Sequence, residues 1–231
     1  MPREGRGPDQ LRPIRISRGY TDMTPGSVLI EMGRTRVLCT AAFQAELPRW
    51  LRGQGRGWVT AEYAMLPGSS AERISRESYQ GGRAKEIQRL IGRSIRSVVD
   101  LERMGELVLR VDCDVLQADG GTRTAAVTGA WVAMYDALVA GPGDPEAIFD
   151  QCAAVSVGIV EETALLDLDY SEDLGAEVDM NVVMTGSGGL VEVQGTAEGA
   201  AFSREQLHVM LDLAERGIKE LVAAQREAVG A

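Results

Sequence analysis

The chain has a single histidine, His208, and three cysteines, Cys39, Cys113 and Cys152, that lie far apart. One histidine leaves little room for a Ser-His-Asp or Cys-His site, and no G-x-S-x-G nucleophile turn is present. The cysteines form no C-x-x-C pair and no zinc spacing, so they read as buried, reduced thiols. Apolar runs of 18 or more residues are absent, and the Arg-rich start, Met1 to Arg18, has no apolar signal region. Neither a membrane span nor secretion is expected, and a cytoplasmic protein is the simple expectation. Gly53-Gln-Gly-Arg-Gly57 leads into an apolar, strand-like run rather than a helix, so it is a turn and not a dinucleotide loop. No Walker A sequence occurs.

Lysine is scarce as well: only Lys85 and Lys219 among 24 basic residues, the rest being arginine. Arginine's planar fork suits bidentate contacts to phosphate. The net charge of −10 looks unfavourable for a polyanion partner, but it is unevenly spread. Residues 1–110 carry 19 Arg+Lys against 12 Asp+Glu; residues 111–231 carry 5 against 22. Such a chain can offer a basic face to a polyanion and an acidic region to a metal.

Periodicity predicts strands over Ser27–Ile30, Arg36–Ala42 and Trp58–Met65, a helix over Glu86–Leu101, a strand over Leu107–Val115 and a buried helix over Thr124–Val139. A second group of strands follows: Ala153–Ile159, Ala164–Leu168, Val178–Met184 and Leu190–Gln194. A long helix, capped by Ser203, closes the chain from Phe202 to about Ala228. This order predicts an α+β, two-layer architecture with mixed sheets.

Three segments can carry chemistry. Gln117-Ala-Asp-Gly-Gly-Thr-Arg-Thr124 joins a strand to a helix. Its glycines allow close backbone approach, the first helical amides carry partial positive charge, and Thr122 and Arg123 add a hydroxyl and a guanidinium. That is an anion site suited to phosphate, although the pattern alone also fits an ordinary Gly-rich helix start. Asp173 and Asp179, with Glu172 and Glu177 nearby, form an acidic group suited to Mg²⁺. Asp179 opens an apolar strand, where a charge needs a partner; Glu172 and Asp173 also fit a solvated acidic loop. Arg73, Arg76 and Arg83 lie between Pro67 and the helix at Glu86, either as a solvated loop or as a clamp on a phosphate backbone.

Long strings of the chain resemble the ribonuclease PH family of phosphorolytic tRNA-trimming enzymes. They include Asp9-Gln-Leu-Arg-Pro13, Trp58-Val-Thr-Ala-Glu-Tyr63, Glu86-Ile-Gln-Arg-Leu-Ile91, Asp112 through Thr124, Ala176-Glu-Val-Asp-Met-Asn181 and Glu192-Val-Gln-Gly-Thr196. The resemblance implies a ribosomal-protein-S5-domain-2-like fold, one domain over residues 1–231, and a homohexamer built as a trimer of dimers. It implies phosphate-dependent 3′→5′ trimming of RNA, tRNA 3′ ends above all, with release of nucleoside diphosphates and a reverse reaction. It maps phosphate binding onto Arg83, Gly121, Thr122 and Arg123, catalysis and Mg²⁺ onto Asp173 and Asp179, and RNA binding onto a loop over residues 68–80 with Arg73 and Arg76. Two departures stand out. Gly68 stands where the family usually has arginine, and the loop is about three residues short. They bear on tRNA handling, leaving room for an enzyme of unstructured RNA. A non-catalytic ring subunit is the contrasting expectation; such subunits lose the arginines or aspartates that this chain keeps.

Overall fold

The computed structural model describes residue 3, residues 5–44 and residues 46–230. The first sheet grows from a meander: β1 (Ile14–Arg18), β2 (Gly26–Met32) and β3 (Thr35–Phe43). Gly33, with φ +57°, makes the tight β2–β3 turn. β4 (Trp58–Met65) leads to helix α1 (Gly82–Arg96), and β5 (Val108–Gln117) inserts between β3 and β4. The resulting order is β1-β2-β3-β5-β4, with β4 and β5 the one parallel pair. The second sheet holds β6 (Cys152–Val160), β7 (Thr163–Leu166), β8 (Val178–Thr185) and β9 (Leu190–Ala197) in the order β7-β6-β8-β9, antiparallel throughout.

Helix α2 (Thr122–Ala140) lies between the sheets, packed on β2 and β3 on one side and on β6 on the other. Its sequence has little amphipathic contrast because both sides are buried. Small residues let the sheets come close: a Cβ at Gly129 would meet Ile30 Cγ2 at 2.7 Å and Cys39 Sγ at 2.8 Å. The same apolar core runs from β2 through α2 to β6, β8 and the closing helix α4 (Arg204–Val229). All three cysteines are free and buried in it.

The architecture matches the expected α+β class, with differences at the edges. β1 was not anticipated, being short, Arg-rich and at a sheet edge. The short helix α3 (Tyr170–Leu174) replaces an expected acidic loop. α1 starts at Gly82 instead of Glu86 and ends at Arg96, which brings Arg83 into its first turn. The strand expected to reach Leu168 stops at Leu166, because Asp167 takes a left-handed conformation, φ +55°. Among the described residues no helix is long and apolar enough to cross a membrane.

Candidate active site

The turn before α2 is held from behind. Gly120 and Gly121 both have positive φ, +75° and +65°, and a Cβ on Gly120 would sit 2.6 Å from the Asp169 carbonyl carbon. Arg12, almost fully buried, donates to both carboxylate oxygens of Asp167 at 2.9 and 2.7 Å, and its other end donates to the Asp119 carbonyl. Thr35 Oγ1 donates to the Gly120 carbonyl at 2.6 Å and accepts from the Asp119 amide at 2.9 Å. The carbonyls of this turn are therefore consumed on its far side. The first amides of α2 have no side-chain cap and open toward the cleft. Arg12, Thr35 and Asp167 were not singled out in the sequence; Arg12 lies within the Asp9–Pro13 string, but a lone arginine gives no sign of a partner 155 residues away.

Around this turn stand the polar side chains. The Tyr63 hydroxyl and Thr122 Oγ1 are 2.8 Å apart; burial raises the Tyr63 pKa, while the Thr122 bond works the other way. Arg123 Nη1 donates to Gln194 Oε1 at 2.8 Å, and Gln194 Nε2 donates to Glu86 Oε1 at 3.1 Å. The Glu86 carboxylate lies 3.5 Å from Arg123. This bracket from α1 and β9 orients the Arg123 fork from one side. Arg83, in the first turn of α1, lies on the cleft beside it and makes no ion pair among the described residues. Tyr63, Glu86 and Gln194 fall within the family-like strings but carried no assigned role.

The two carboxylates come from the second sheet and its neighbour. Asp179 is the second residue of β8, in register with Gly158 and Thr196. Asp173 lies on α3, exposed to the cleft. Burial first, then the charge of Asp173, pushes the Asp179 pKa up to about 6, against the pull of Arg123 and Arg83. Asp173 is raised too, again mainly by burial. Glu172 is not the solvated residue that its sequence context suggested. It is buried, pairs with Arg3 at 2.5 Å and Arg6 at 3.2 Å, and closes a capping box with Asp169. That pinning fixes the helix on which Asp173 sits.

One cleft of about 1040 Å³ collects Arg73, Arg83, Gly121, Thr122, Arg123, Asp173 and Asp179. Arg34, Tyr170 and Glu198 line it as well, with no prior sign in the sequence. Arg76 does not line it; it begins a 3-10 turn, Arg76–Gln80, between the lining residues Ile74 and Arg83 in the chain. Gly68 is exposed. Glu177 is exposed and turns to the Glu162 amide instead of the cleft. His208 is exposed on α4. No group of three or more His, Cys, Asp or Glu that could hold a metal occurs among the described residues. An ion here would rest on two carboxylates, which suits Mg²⁺, because that ion keeps several waters and phosphate oxygens as ligands. Lost hydration raises both carboxyl pKa values even with Arg83 and Arg123 nearby.

The cleft can thus place an anion between two helix starts and two arginines, facing a pair of carboxylates. Residues 10–140 match the model of the 3′ exoribonuclease family, domain 1, and residues 150–217 match domain 2. A ribonuclease PH of Corynebacterium efficiens is 56% identical over 236 residues, spanning 98% of this chain and 96% of that protein. Among solved structures, the Archaeoglobus fulgidus exosome with RNA bound to the active site superposes with a TM-score of 0.79 at 20% identity, covering 95% of this chain and 90% of that one. Rice (Oryza sativa) Rrp46 gives 0.76 at 18% identity, covering 97% and 96%. At such identities these two speak for the fold alone. With both domain models matched in order and a relative of this identity aligned nearly end to end, the chain belongs to the 3′ exoribonuclease family.

Proposed function

We propose that the chain is a phosphorolytic 3′→5′ exoribonuclease, a tRNA nucleotidyltransferase that trims RNA 3′ ends and releases nucleoside diphosphates. The observation that carries this reading is the meeting of the uncapped α2 start, Arg83 and Arg123 with Asp173 and Asp179 in one cleft. Inorganic phosphate is the natural occupant of the first group, and a 3′-terminal phosphodiester the natural neighbour of the second.

In this mechanism Arg83, Arg123, the Thr122 hydroxyl and the Gly121–Arg123 backbone hold phosphate and direct one of its oxygens at the last phosphodiester. Holding two anions close together is costly in water, and the arginines and helix amides offset their repulsion. Asp173 and Asp179 would hold Mg²⁺, which when bound supplies positive charge to the reacting phosphoryl group and the departing 3′-oxygen. One of the two aspartates relays to that oxygen the proton given up by the attacking hydrogen phosphate. Run backwards, the same arrangement adds nucleotides from diphosphates.

Arg73, on the cleft wall, and Arg76, in the 3-10 turn that follows it, serve the RNA backbone further from the bond broken. The two matched segments work as one unit over residues 1–231, supported by α2 of the first segment packing on the sheet of the second. A cytoplasmic homohexamer, a trimer of dimers, goes with the family resemblance. The competing reading, a non-catalytic ring subunit, has against it that Arg83, Arg123, Asp173 and Asp179 are all present.

Product analysis tests the reading. Labelled tRNA precursor or oligonucleotide, incubated with Mg²⁺, should yield nucleoside diphosphates only when phosphate is added. Monophosphate products, or phosphate-independent shortening, would overturn it.

A further inference from the structure

Helix α3 carries two large apolar side chains on the cleft that the chemistry above does not use. Tyr170 is 59% exposed and Leu174 76% exposed, yet both line the cleft that holds Asp173 and Asp179. Four residues apart, they share one side of α3, and Asp173 stands three residues after Tyr170. α3 is not a loose segment. The Asp169–Glu172 capping box closes its first turn, and Arg3 and Arg6 grip Glu172. Leaving apolar surface to water forgoes the stabilisation its burial would bring. Here it stands on a pinned helix, in a cleft lined on other sides by Arg34, Arg73, Arg83 and Arg123.

We propose that Tyr170, extended by Leu174, is a stacking platform for the base of the 3′-terminal nucleotide of the RNA. The proposal rests on the nuclease reading and adds a base subsite to its phosphate and metal sites. One helical turn separates Tyr170 from Asp173, a distance on the order of 5 Å. That is comparable with the reach from a nucleotide's 5′-phosphate to its own base. With the scissile phosphate at Asp173 and Asp179, the base that falls on Tyr170 is the one about to be released. Stacking suits this position because every base has a π-face. An enzyme that removes whichever nucleotide comes next needs a contact indifferent to sequence.

The test uses one oligoribonucleotide in three forms: unmodified, abasic at the 3′-terminal nucleotide, and abasic at the penultimate one. Phosphorolysis by the wild type, Tyr170→Phe and Tyr170→Ala is measured with RNA varied at saturating phosphate, and with phosphate varied at saturating RNA. Tyr170→Ala should raise KM for unmodified RNA about tenfold to a hundredfold, leave KM for phosphate unchanged, and be rescued by Tyr170→Phe. Terminal abasic RNA should impose the same penalty on the wild type and almost none on Tyr170→Ala. A wild type indifferent to the terminal lesion, or penalised only by the penultimate one, would overturn the assignment even if the alanine variant did not fold. A Tyr170→Ala penalty that persists undiminished on terminal abasic RNA would overturn it too. If the wild type releases no diphosphate from unmodified RNA, it is the nuclease reading that fails.

Discussion

Of the four α-helices among the described residues, two begin with a side-chain cap and two do not. α3 begins at Asp169, whose side chain accepts from the Ser171 and Glu172 amides, and α4 begins at Ser203, which accepts from the Gln206 amide. α1 and α2 begin at Gly81 and Gly121, with no side-chain cap. The difference follows position. The bare starts carry Arg83 and Arg123; that of α2 lines the cleft, and Gly82 of α1 lines an adjoining hollow that shares Arg83, Arg123 and Asp179 with it. A side-chain cap would satisfy amides that an anion can satisfy instead, and would fill the space with a group of fixed charge. Each bare start brings roughly half a positive charge to the cleft. The comparison therefore separates helices whose first amides are satisfied by a side-chain cap from helices whose first amides have none.

The sharpest break in this division is on the carboxylate side, where α3 and β8 contribute negative charge and no bare amides. Asp179→Asn keeps the shape and removes the charge. Turnover should fall on the order of a hundredfold or more, with KM for phosphate near normal and RNA binding equal or tighter. Chelating the metal should reduce the wild type similarly and cost the variant little more. Near-normal turnover of Asp179→Asn at saturating Mg²⁺ would remove Asp179 from the metal site. A parallel rise in KM for phosphate would show that anion holding is not confined to the bare helix starts.

A paired substitution tests the division directly. Arg123→Ala removes a charge-assisted contact beside the bare start of α2, a loss of about 1.5–3 kcal/mol. KM for phosphate should rise by roughly tenfold to a hundredfold while the fold survives. Ser203→Ala removes the cap of α4 and should cost about 1 kcal/mol of stability with KM for phosphate unmoved. Denaturant unfolding and phosphate titration of both variants read the two effects separately. If Ser203→Ala moved KM for phosphate, or Arg123→Ala left it alone, capping and function would not be divided as described.

How much of this was legible in the sequence depends on the reach of each signal. The α4 start was visible because Ser203 and Gln206 lie three residues apart, and a local motif needs no fold to be recognised. The glycine turn into α2 was visible for the same reason, through Gly120-Gly-Thr-Arg123. The lock behind it was not. Arg12, Thr35 and Asp167 come from the approach to β1, the first position of β3 and the residue after β7, and meet only when both sheets are formed. Asp173 and Asp179 could be named but not separated in kind from Glu172 and Glu177, since only the fold shows Glu172 sealed against Arg3 and Arg6. α3 escaped because five residues give no helical period, although its Asp169-x-x-Glu172 pair was the one local mark of a helix start.

The smallest effect is expected where the chain departs from its resemblance, at Gly68. On the proposed reading, the bare helix starts would act on a phosphate within the cleft and the 68–80 loop on RNA at a distance, so the two should respond differently to salt. Gly68 is exposed, and a Cβ there would meet nothing within 4 Å, so an arginine fits without strain. The neighbouring Ser69 carbonyl accepts from the Ala118 amide at 2.7 Å, which ties the loop's base to the turn before α2. An arginine at 68 would therefore project from an anchored point beside the cleft. The parent chain should keep full activity on short single-stranded 3′ tails but bind tRNA precursors more weakly, and with less salt dependence, than a longer-looped relative. Gly68→Arg should tighten precursor binding and steepen the log–log salt slope by about 0.7 per added single-strand phosphate contact. Its turnover on a short oligonucleotide should stay unchanged, because the charge does not reach the reacting phosphate. Precursor affinity measured across salt concentrations for the two proteins decides it. Identical slopes would mean that position 68 does not face the RNA and that the short loop has no bearing on substrate choice; a change in oligonucleotide turnover would mean that loop and cleft are one electrostatic unit.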